Sequence, residues 1–420
     1  MKTVPSRIGF ISTRLAGSDG VSLETEKWAQ ILQSMGHECF YFAGELDRPE
    51  SRATVAPEAH FNHPDIAAIN RDLFDDPTRS SKTTGLVHSL RFHLKQHLYQ
   101  FINTFDINLL IIENALSIPM NVPLGLAITE LIAETNIPTI AHHHDFSWER
   151  SRYAVTAGND YLRAAFPPTL PSIHHVVINS FGAHQLALRT GATSTLVPNV
   201  MDFDQPPSGL DEHALKLRGL LALGPDEAFI LQPTRIVPRK RIELAIELTH
   251  RLGLDATLVI THQSGDEGSA YEIRLREYAD LLNTSVIFGA EIVNHHRGEL
   301  ENGRQVFSLK DAYQQADLVT YPSTIEGFGN AFLETVYYRR PIVISTYEIF
   351  KTDILPKGFR VIGFEDYLEK ETVDKARSIL LDPSIGEEMA EHNYKLGQRY
   401  YSYRTLEANL ATILNQLLGI

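Results

Sequence analysis

The sequence has little of several features that mark particular classes of protein. It contains one cysteine, Cys39, which excludes an intramolecular disulfide and is typical of a reducing compartment. No segment approaches about 18 consecutive apolar residues, and no apolar run near residue 1 is long enough for a signal peptide. The formal net charge is −14, which argues against nucleic acid or an anionic membrane as the main partner. We therefore expect a cytoplasmic protein that binds neither of them.

The length and the first strand pattern indicate a two-domain α/β protein, because 420 residues are too many for one core. The chain begins with a predicted strand, Arg7–Ser12, a glycine-bearing loop, Thr13–Ser22, and a predicted helix, Leu23–Met35, capped by Ser22 and followed by the stop signal Gly36. Another strand follows, which makes a βαβ unit. We place the domains at residues 1–205 and 206–400, with a terminal helix in 401–420. The polar stretch 45–85 has little periodicity and is predicted as a loop region.

The most informative stretch of the chain is Ala316–Tyr347. Leu318–Tyr321 is apolar and β-prone, Pro322–Asn330 is rich in turn residues, and Ala331–Tyr338 has apolar residues at helical spacing. A strand, a glycine-bearing loop and a helix N-terminus form a site suited to anions, because the first helical turn has free N–H groups.

Three interpretations of this stretch compete. In the first, the glycines serve only the turn of an ordinary βαβ unit. In the second, the segment Gly327–Phe332 is a nicotinamide-binding G-x-G-x-x-G motif, but the match fails where Phe332 replaces a small residue. The third interpretation is a sugar-nucleotide site in which Glu326 and Glu334 accept hydrogen bonds from hydroxyls. Eight helical residues span about 12 Å, which exceeds the roughly 5–9.5 Å between the paired carboxyls of a glycosidase.

The segment from Ser323 to Glu334 resembles the E-x7-E motif of glycosyltransferase family 4, the retaining enzymes of GT-B fold. The resemblance implies two Rossmann-like domains with parallel sheets facing a central cleft, the acceptor on the first and the sugar nucleotide on the second. It also implies that the first Glu contacts the donor sugar, the second contacts the ribose, and loop amides contact the sugar and diphosphate. The implied donor-binding residues of this segment are Glu326, Gly327, Phe328, Gly329, Asn330 and Glu334.

A basic motif lies earlier in the chain than this stretch. Arg235 and Lys240 lie in the loop between a predicted strand, Phe229–Gln232, and a predicted helix, Ile242–Leu252. A planar guanidinium and a flexible ammonium would neutralise a diphosphate there, although solvated basic loops are also common. The family has R-x4-K at this point, so the resemblance implies that Arg235 and Lys240 bind the donor diphosphate.

Three successive histidines, His142 to His144, follow the predicted strand Ile137–Ala141. Neighbours on an extended segment point to alternate faces, so the three do not share one metal ion, and no acidic residue at regular spacing completes a ligand set. We predict no metal. The family carries a His-Asp pair at such a strand end, facing the donor sugar, and His144 with Asp145 matches it. A structural, hydrogen-bonded histidine is the alternative.

Two further parts of the first domain are candidates for substrate contact. Trp148, Arg150 and Arg152 follow the His-Asp pair, and two arginines would suit an anionic acceptor, although exposed arginines are usually only solvated. The resemblance extends to the first loop and implies donor contact at Gly20, while Asp19 replaces the first glycine that the family has there.

The resemblance therefore implies a retaining glycosyltransferase that moves a hexosyl group from a nucleotide-diphosphate sugar to a hydroxyl of a small soluble or anionic acceptor. It implies no metal and no cofactor. The implied catalytic residues are His144, Glu326, Arg235 and Lys240. A non-catalytic sugar-nucleotide-binding protein and a nicotinamide-dependent dehydrogenase remain as alternatives. The sequence leaves the base, the sugar, the acceptor and the oligomeric state open.

Overall fold

The computed structural model describes residues 5–17, 19–264, 268–294, 296–300 and 303–419. The chain divides into two compact units. The first contains the residues up to Val200 together with those from Tyr403 onward, and the second is Met201–Ser402. The division thus falls five residues before the position expected from the sequence. No helix in the described ranges is long and apolar enough to cross a bilayer.

The first unit is built on one parallel sheet. Its strands are β1 (Arg7–Ile11), β2 (Glu38–Ala43), β3 (Ala53–Val55), β4 (Leu109–Glu113), β5 (Thr139–His143), β6 (Ile173–Val177) and β7 (Ser194–Leu196). Their order is β3-β2-β1-β4-β5-β6-β7, with every pairing parallel. The chain order reverses between β1 and β4, and open α/β sheets bind ligands at the carboxyl end of such a switch point.

The helices of this unit up to Val200 are α1 (Gly20–Ser34), α2 (Pro64–Leu73), α3 (Ser81–Thr104), α4 (Val122–Thr135), α5 (Asn159–Ala165) and α6 (Ser180–Thr190). Helix α1 begins at Gly20 and not at Leu23, because the Asp19 carboxylate accepts from the backbone N–H groups of Val21 and Ser22, each at 3.1 Å. Asp19 is therefore the N-cap in place of Ser22. At the other end Gly36 has the expected positive φ, 93°.

The prediction that residues 45–85 form a loop region is wrong. This segment contains β3, α2 and the start of α3. Helix α2 is only ten residues long, and it buries Ile66, Ile69 and Leu73, an apolar stripe at helical spacing. The hydroxyl of Ser80 caps α3 by accepting from the Thr83 N–H at 3.1 Å.

Apolar side chains cover both faces of the first sheet. Leu109 and Ile111 of β4 belong to one buried cluster, while Leu110 and Ile112 belong to another on the opposite face. This alternation explains the unbroken apolar run of the strand, which is typical of a parallel sheet covered on both sides.

The second unit also has a parallel sheet. Its strands are β8 (Ala228–Gln232), β9 (Ala256–Ile260), β10 (Ser285–Phe288), β11 (Val293–Asn294), β12 (Gly298–Glu299), β13 (Gln305–Ser308), β14 (Leu318–Tyr321), β15 (Ile342–Ser345) and β16 (Ile362–Phe364). Six of them form the order β10-β9-β8-β14-β15-β16, and β11, β13 and β12 form a small separate sheet. Because β8 lies beside β14 in parallel, the loops that follow these two strands leave the same edge of the sheet.

The helices of the second unit are α7 (Leu217–Leu220), α8 (Ile242–Leu252), α9 (Ala270–Leu281), α10 (Leu309–Gln315), α11 (Asn330–Tyr337), α12 (Lys370–Leu381) and α13 (Pro383–Tyr400). The terminal helix α14 (Tyr403–Leu418) belongs to the first unit. Its residues Leu406, Leu410 and Ile413 share a buried cluster with Trp28 of α1.

Candidate active site

The basic loop of the second unit meets the loop that carries Glu326. A 3₁₀ turn, Pro238–Lys240, precedes α8 and leaves Lys240 only 7% exposed. Its ammonium contacts Glu326 Oε1 and lies 5.1 Å from the ring centroid of Tyr321, the last residue of β14. Two loops far apart in the sequence thus place opposite charges in contact at one edge of the sheet.

Glu326 is held as a carboxylate by cations. Its second oxygen, Oε2, lies 3.5 Å from the guanidinium of Arg239. Burial alone would raise the pKa of Glu326, but the attraction of Lys240 and Arg239 outweighs it, so the pKa lies below its usual range. Arg239 lies inside the R-x4-K motif but was not predicted as a site residue, because its only sequence signal is its place beside Lys240 in a basic loop.

Arg235 is exposed, unlike Lys240. Burial lowers the pKa of Lys240, and the positive charges of Arg239 and Arg235 lower it further, while Glu326 opposes the shift. Arg235, Arg239 and Lys240 exceed the single carboxylate of Glu326 by two positive charges. An excess of two positive charges is therefore available to an anion at this edge.

The glycine loop is tightly packed where α11 begins. Gly329 has φ of 109°, and a Cβ atom on it would lie 2.2 Å from the hydroxyl oxygen of Tyr347. That hydroxyl donates to the carbonyl of Phe328 at 2.7 Å. Only glycine fits this backbone conformation and this space. The loop from Gly327 to Asn330 thereby leads directly into the first turn of α11.

The second carboxylate of the segment, Glu334, lies on α11. The hydroxyl of Tyr313 donates to Glu334 Oε2 at 2.8 Å, and Tyr313 itself is fully buried. Burial and the nearby negative charge raise the pKa of Tyr313 well above its usual value, so the phenol remains a donor. Sequence reasoning did not find Tyr313, because only the tertiary packing of α10 against α11 brings it to Glu334.

In the first unit, the three successive histidines at the end of β5 alternate between faces as predicted. His142 Nδ1 and His144 Nε2 lie 2.9 and 3.2 Å from the same oxygen, Oε2 of Glu113. His143 points the other way, with Nε2 2.9 Å from His175 Nδ1. Glu113 is the last residue of β4, the strand beside β5.

Glu113 is fully buried and was not among the residues predicted for the site. Burial would raise its pKa, yet the two histidines outweigh that effect and lower the pKa to about 2. Conversely, burial would lower the pKa of His144, but the contact with Glu113 raises it overall. Burial dominates at His142 and lowers its pKa. Contact with the carboxylate thus favours the protonated form of His144, whereas burial favours the neutral form of His142.

Glu113, His142 and His144 are the one set of three potential metal-ligating side chains within the described ranges, with their ligand atoms within 4.8 Å of one another. The prediction from the sequence considered only acidic residues at regular spacing, and Glu113 is not one of them. Glu113 comes from a neighbouring strand, so no spacing in the sequence marks it. Both imidazoles already contact one carboxylate oxygen, which is the geometry of a hydrogen-bonded charge network. The absence of a metal remains a prediction.

Asp145, the partner of His144 in the His-Asp pair, is engaged by neighbours. One of its oxygens accepts from the Asn114 side-chain amide at 3.0 Å, and the other accepts from Arg150 Nε at 2.5 Å. Asn114 also accepts from the backbone N–H of His144 at 3.1 Å. Asn114, which adopts φ of 59°, therefore links the ends of β4 and β5.

The other predicted contact residues of this unit have the following surroundings. Arg152 is exposed and lies over the ring of Tyr153, at 4.5 Å. Trp148 stacks on Phe146 with ring centroids 4.5 Å apart. Gly20 opens α1 and has no positive φ, so its conformation does not require glycine.

Comparison with known proteins identifies the class of enzyme. The family described as glycosyl transferases group 1 matches residues 216–396. The chain is also 32% identical to the mannosylglucosylglycerate synthase of Thermotoga maritima, over 96% of this chain and 98% of the relative. The chain belongs to the group 1 glycosyltransferases. A relative of the same name from Petrotoga mobilis is 30% identical over 87% of this chain and 88% of its own length.

Solved structures of glycosyltransferases share the fold. A glycosyltransferase from Rickettsia africae has a TM-score of 0.69 at 13% identity, covering 98% of this chain and 99% of the other. The Anabaena protein HepE, solved with UDP and glucose, has a TM-score of 0.63 at 14% identity, covering 98% and 100%. With its two Rossmann-like parallel-sheet domains, this glycosyltransferase has the GT-B fold that the sequence predicts.

Proposed function

We propose that the protein is a retaining, metal-independent glycosyltransferase of family 4 that transfers a mannosyl group from a nucleotide-diphosphate mannose to glucosylglycerate. Both relatives at 30% identity or more are named for mannosylglucosylglycerate, which differs from glucosylglycerate by one mannosyl group. Glucosylglycerate carries a carboxylate and hydroxyls, which agrees with the small anionic acceptor expected from the sequence.

The observation that carries the proposal is the charge cluster of Lys240, Arg239 and Glu326 at the edge of the second sheet. With Arg235, the cluster has two excess positive charges. A diphosphate in a sugar nucleotide carries about two negative charges, so the two charges would balance. Fixed donors of this kind stabilise developing charge without a metal, because they need no reorganisation during the reaction. Backbone N–H groups of the Gly327–Asn330 loop, at the start of α11, also hydrogen-bond to the phosphates of the sugar nucleotide in this proposal.

The two carboxylates of the segment bind hydroxyls in this proposal. Glu326 accepts from the donor sugar, and Glu334 accepts from the ribose while Tyr313 holds it in place. Phe328 shapes the loop through its carbonyl, which Tyr347 fixes. We assign His144 and Asp145 to the transferred sugar, and Gly20 to the donor through its backbone.

Trp148, Arg150 and Arg152 are assigned to the acceptor. Arg152 is exposed and is the guanidinium assigned to the carboxylate of glucosylglycerate, since Arg150 is paired with Asp145. A guanidinium recognises a carboxylate through two parallel hydrogen bonds, which a lysine does not provide.

Retention follows from substitution on one face of the sugar. The bond between the anomeric carbon and the β-phosphate oxygen breaks, and the acceptor oxygen bonds to the same face of the carbon. The acceptor proton passes to the departing phosphate, so no protein nucleophile is assigned. Lys240, Arg239 and Arg235 stabilise the charge that develops on the leaving diphosphate.

A thermal-shift screen tests the donor part of this proposal, because a ligand of the native state raises the apparent melting temperature. The screen uses GDP, UDP and ADP, their mannose and glucose derivatives, and NAD. We expect a shift with one mannose nucleotide and its diphosphate, and loss of that shift in Lys240→Ala. A shift with NAD alone would contradict the proposal. Binding of a sugar nucleotide without any transfer would indicate a non-catalytic binding protein.

A further inference from the structure

Glu113 and Asn114 together hold the His144–Asp145 pair from the neighbouring strand. Glu113 Oε2 lies 3.2 Å from the ring nitrogen Nε2 of His144. Asn114 accepts from the backbone N–H of His144 and donates to the carboxylate of Asp145. Side chain and backbone of the pair are thus both fixed by two consecutive residues at the end of β4.

The contacts decide which ring nitrogens carry protons. A carboxylate oxygen only accepts hydrogen bonds, so both nitrogens that face Glu113 Oε2 carry a proton. These are Nδ1 of His142 and Nε2 of His144. Nε2 of neutral His142 then has no proton, and it is buried with no hydrogen-bond partner among the described residues. In the His144 ring, Nε2 faces Glu113, so Nδ1 is the nitrogen that remains for a ligand.

A purely structural role explains this arrangement poorly. Burying a carboxylate is unfavourable, and well-packed apolar residues of similar volume often serve stability as well or better. Glu113 is fully buried, and its other oxygen, Oε1, finds no hydrogen-bond partner in the described part of the chain. A histidine oriented by a buried carboxylate is, in contrast, a common arrangement in enzyme active sites.

We infer that Glu113 is a positioning residue of this transferase: it orients His144 so that Nδ1 is the atom presented to the transferred sugar. The inference rests on the proposed function for the role of His144. His142 contacts the same carboxylate oxygen and packs against Trp28, with ring centroids 4.2 Å apart.

The charges around His144 act in the same direction. Burial lowers its pKa, but Glu113 on β4, Glu24 on α1 and the adjacent Asp145 raise it, and the net shift is upward. Burial favours the neutral form of His142 by lowering its pKa. With Nε2 of His144 protonated toward Glu113, Nδ1 can bind a sugar hydroxyl in either state of the ring: it donates to the hydroxyl oxygen when the ring is charged and accepts the hydroxyl proton when the ring is neutral.

Glu113→Gln tests the inference, because it keeps the shape of the side chain and removes its charge. We expect kcat for mannosyl transfer to fall at least about tenfold, the lower end of the cost of losing an orienting carboxylate, with KM for the donor changed less than about threefold. His143→Gln is the matched control. His143 is buried and lies one residue from His144, but it points to the opposite face and contacts Ser117 and His175 in place of Glu113. The kcat of this variant should stay within about threefold of the wild type, because the substitution leaves the Glu113–His144 contact in place.

A double-mutant cycle separates positioning from general damage. His144→Ala also lowers kcat, and adding Glu113→Gln to it should change kcat by less than about twofold, because Glu113 acts only through His144. Equal losses in both backgrounds, or a loss in His143→Gln as large as in Glu113→Gln, would overturn the inference. Melting temperatures of all variants are measured first.

NMR titration of the imidazoles provides a readout that does not depend on turnover. The His144 signal is assigned by its absence in His144→Ala, and its pKa should fall in Glu113→Gln. An unchanged pKa would overturn the inference. If the wild type transfers no mannosyl group, the proposed function fails, while this titration still decides whether Glu113 controls His144.

Discussion

Replacing Gly329 by alanine should damage the donor loop by two separate effects. At φ of 109° an L-residue is strained, by about 1–2 kcal/mol. The new Cβ would also lie 2.2 Å from the hydroxyl of Tyr347, so Tyr347 must move and release the carbonyl of Phe328. Breaking that buried hydrogen bond costs about 1–3 kcal/mol. The sum predicts a loss of about 2–5 kcal/mol in the free energy of unfolding.

The assay is urea unfolding followed by far-UV circular dichroism, because both tryptophans, Trp28 and Trp148, lie in the first unit and tryptophan fluorescence would report on that unit. Calorimetric titration with the donor nucleotide should show loss of binding in Gly329→Ala. The control is Gly85→Ala, an exposed position inside α3 where a Cβ meets no atom within 4 Å. This control should gain about 0.5–1 kcal/mol.

A second substitution isolates the steric effect. Tyr347→Phe removes the hydroxyl oxygen, and the next Tyr347 atom would lie 3.3 Å from the new Cβ. Because the hydrogen bond is already broken in Gly329→Ala, the double variant should be more stable than the sum of the single losses by at least about 1 kcal/mol. Additive losses, or a Gly329→Ala variant as stable as the wild type, would refute the reasoning.

Three further predictions concern charge and orientation. Lys240→Met should abolish turnover and destabilise the fold by about 3–5 kcal/mol, because it leaves Glu326 buried with less compensation; kinetics and urea unfolding measure this, and Lys240→Arg should be less destabilised. Tyr313→Phe should raise KM for the donor about fivefold at unchanged kcat, because Glu334 loses one orienting hydrogen bond of about 1 kcal/mol; an unchanged KM would contradict it. Since the folded pKa of Glu113 is about 2 against an ordinary 4.5, its ionised form stabilises the fold above pH 4.5, and about 3 kcal/mol should be lost as pH falls from 4.5 to 2. Acid unfolding of Glu113→Gln should lack this component.

Local patterns in the sequence were sufficient for the elements that carry the donor loops. The strand Leu318–Tyr321 and the helix Ile242–Leu252 have the predicted bounds, because a buried parallel strand and an amphipathic helix each have a distinct apolar period. The loops that follow β8 and β14 could be assigned to one site only from the known arrangement of a family. The sequence itself does not state that β8 and β14 are neighbours.

Residues that act through tertiary contacts were missed. Glu113, Arg239 and Tyr313 reach their partners across neighbouring strands or between packed elements, at separations along the chain that no motif records. Helix α2 was missed for a different reason, since its apolar stripe is short and interrupted by polar residues. At α1, two possible capping residues lie three positions apart, and Asp19 has the N-cap role that was assigned to Ser22.

The most direct test of the central claim is a transfer assay with purified protein, the mannose nucleotide that the binding screen selects, and glucosylglycerate, in the presence of EDTA. We predict formation of mannosylglucosylglycerate, with the new glycosidic bond in the anomeric configuration of the donor when the product is analysed by NMR. Inverted configuration would contradict retention, and activity that appears only after a divalent cation is restored would contradict metal independence. Absence of any transfer to glucosylglycerate, from a protein that binds the donor, would contradict the proposed acceptor.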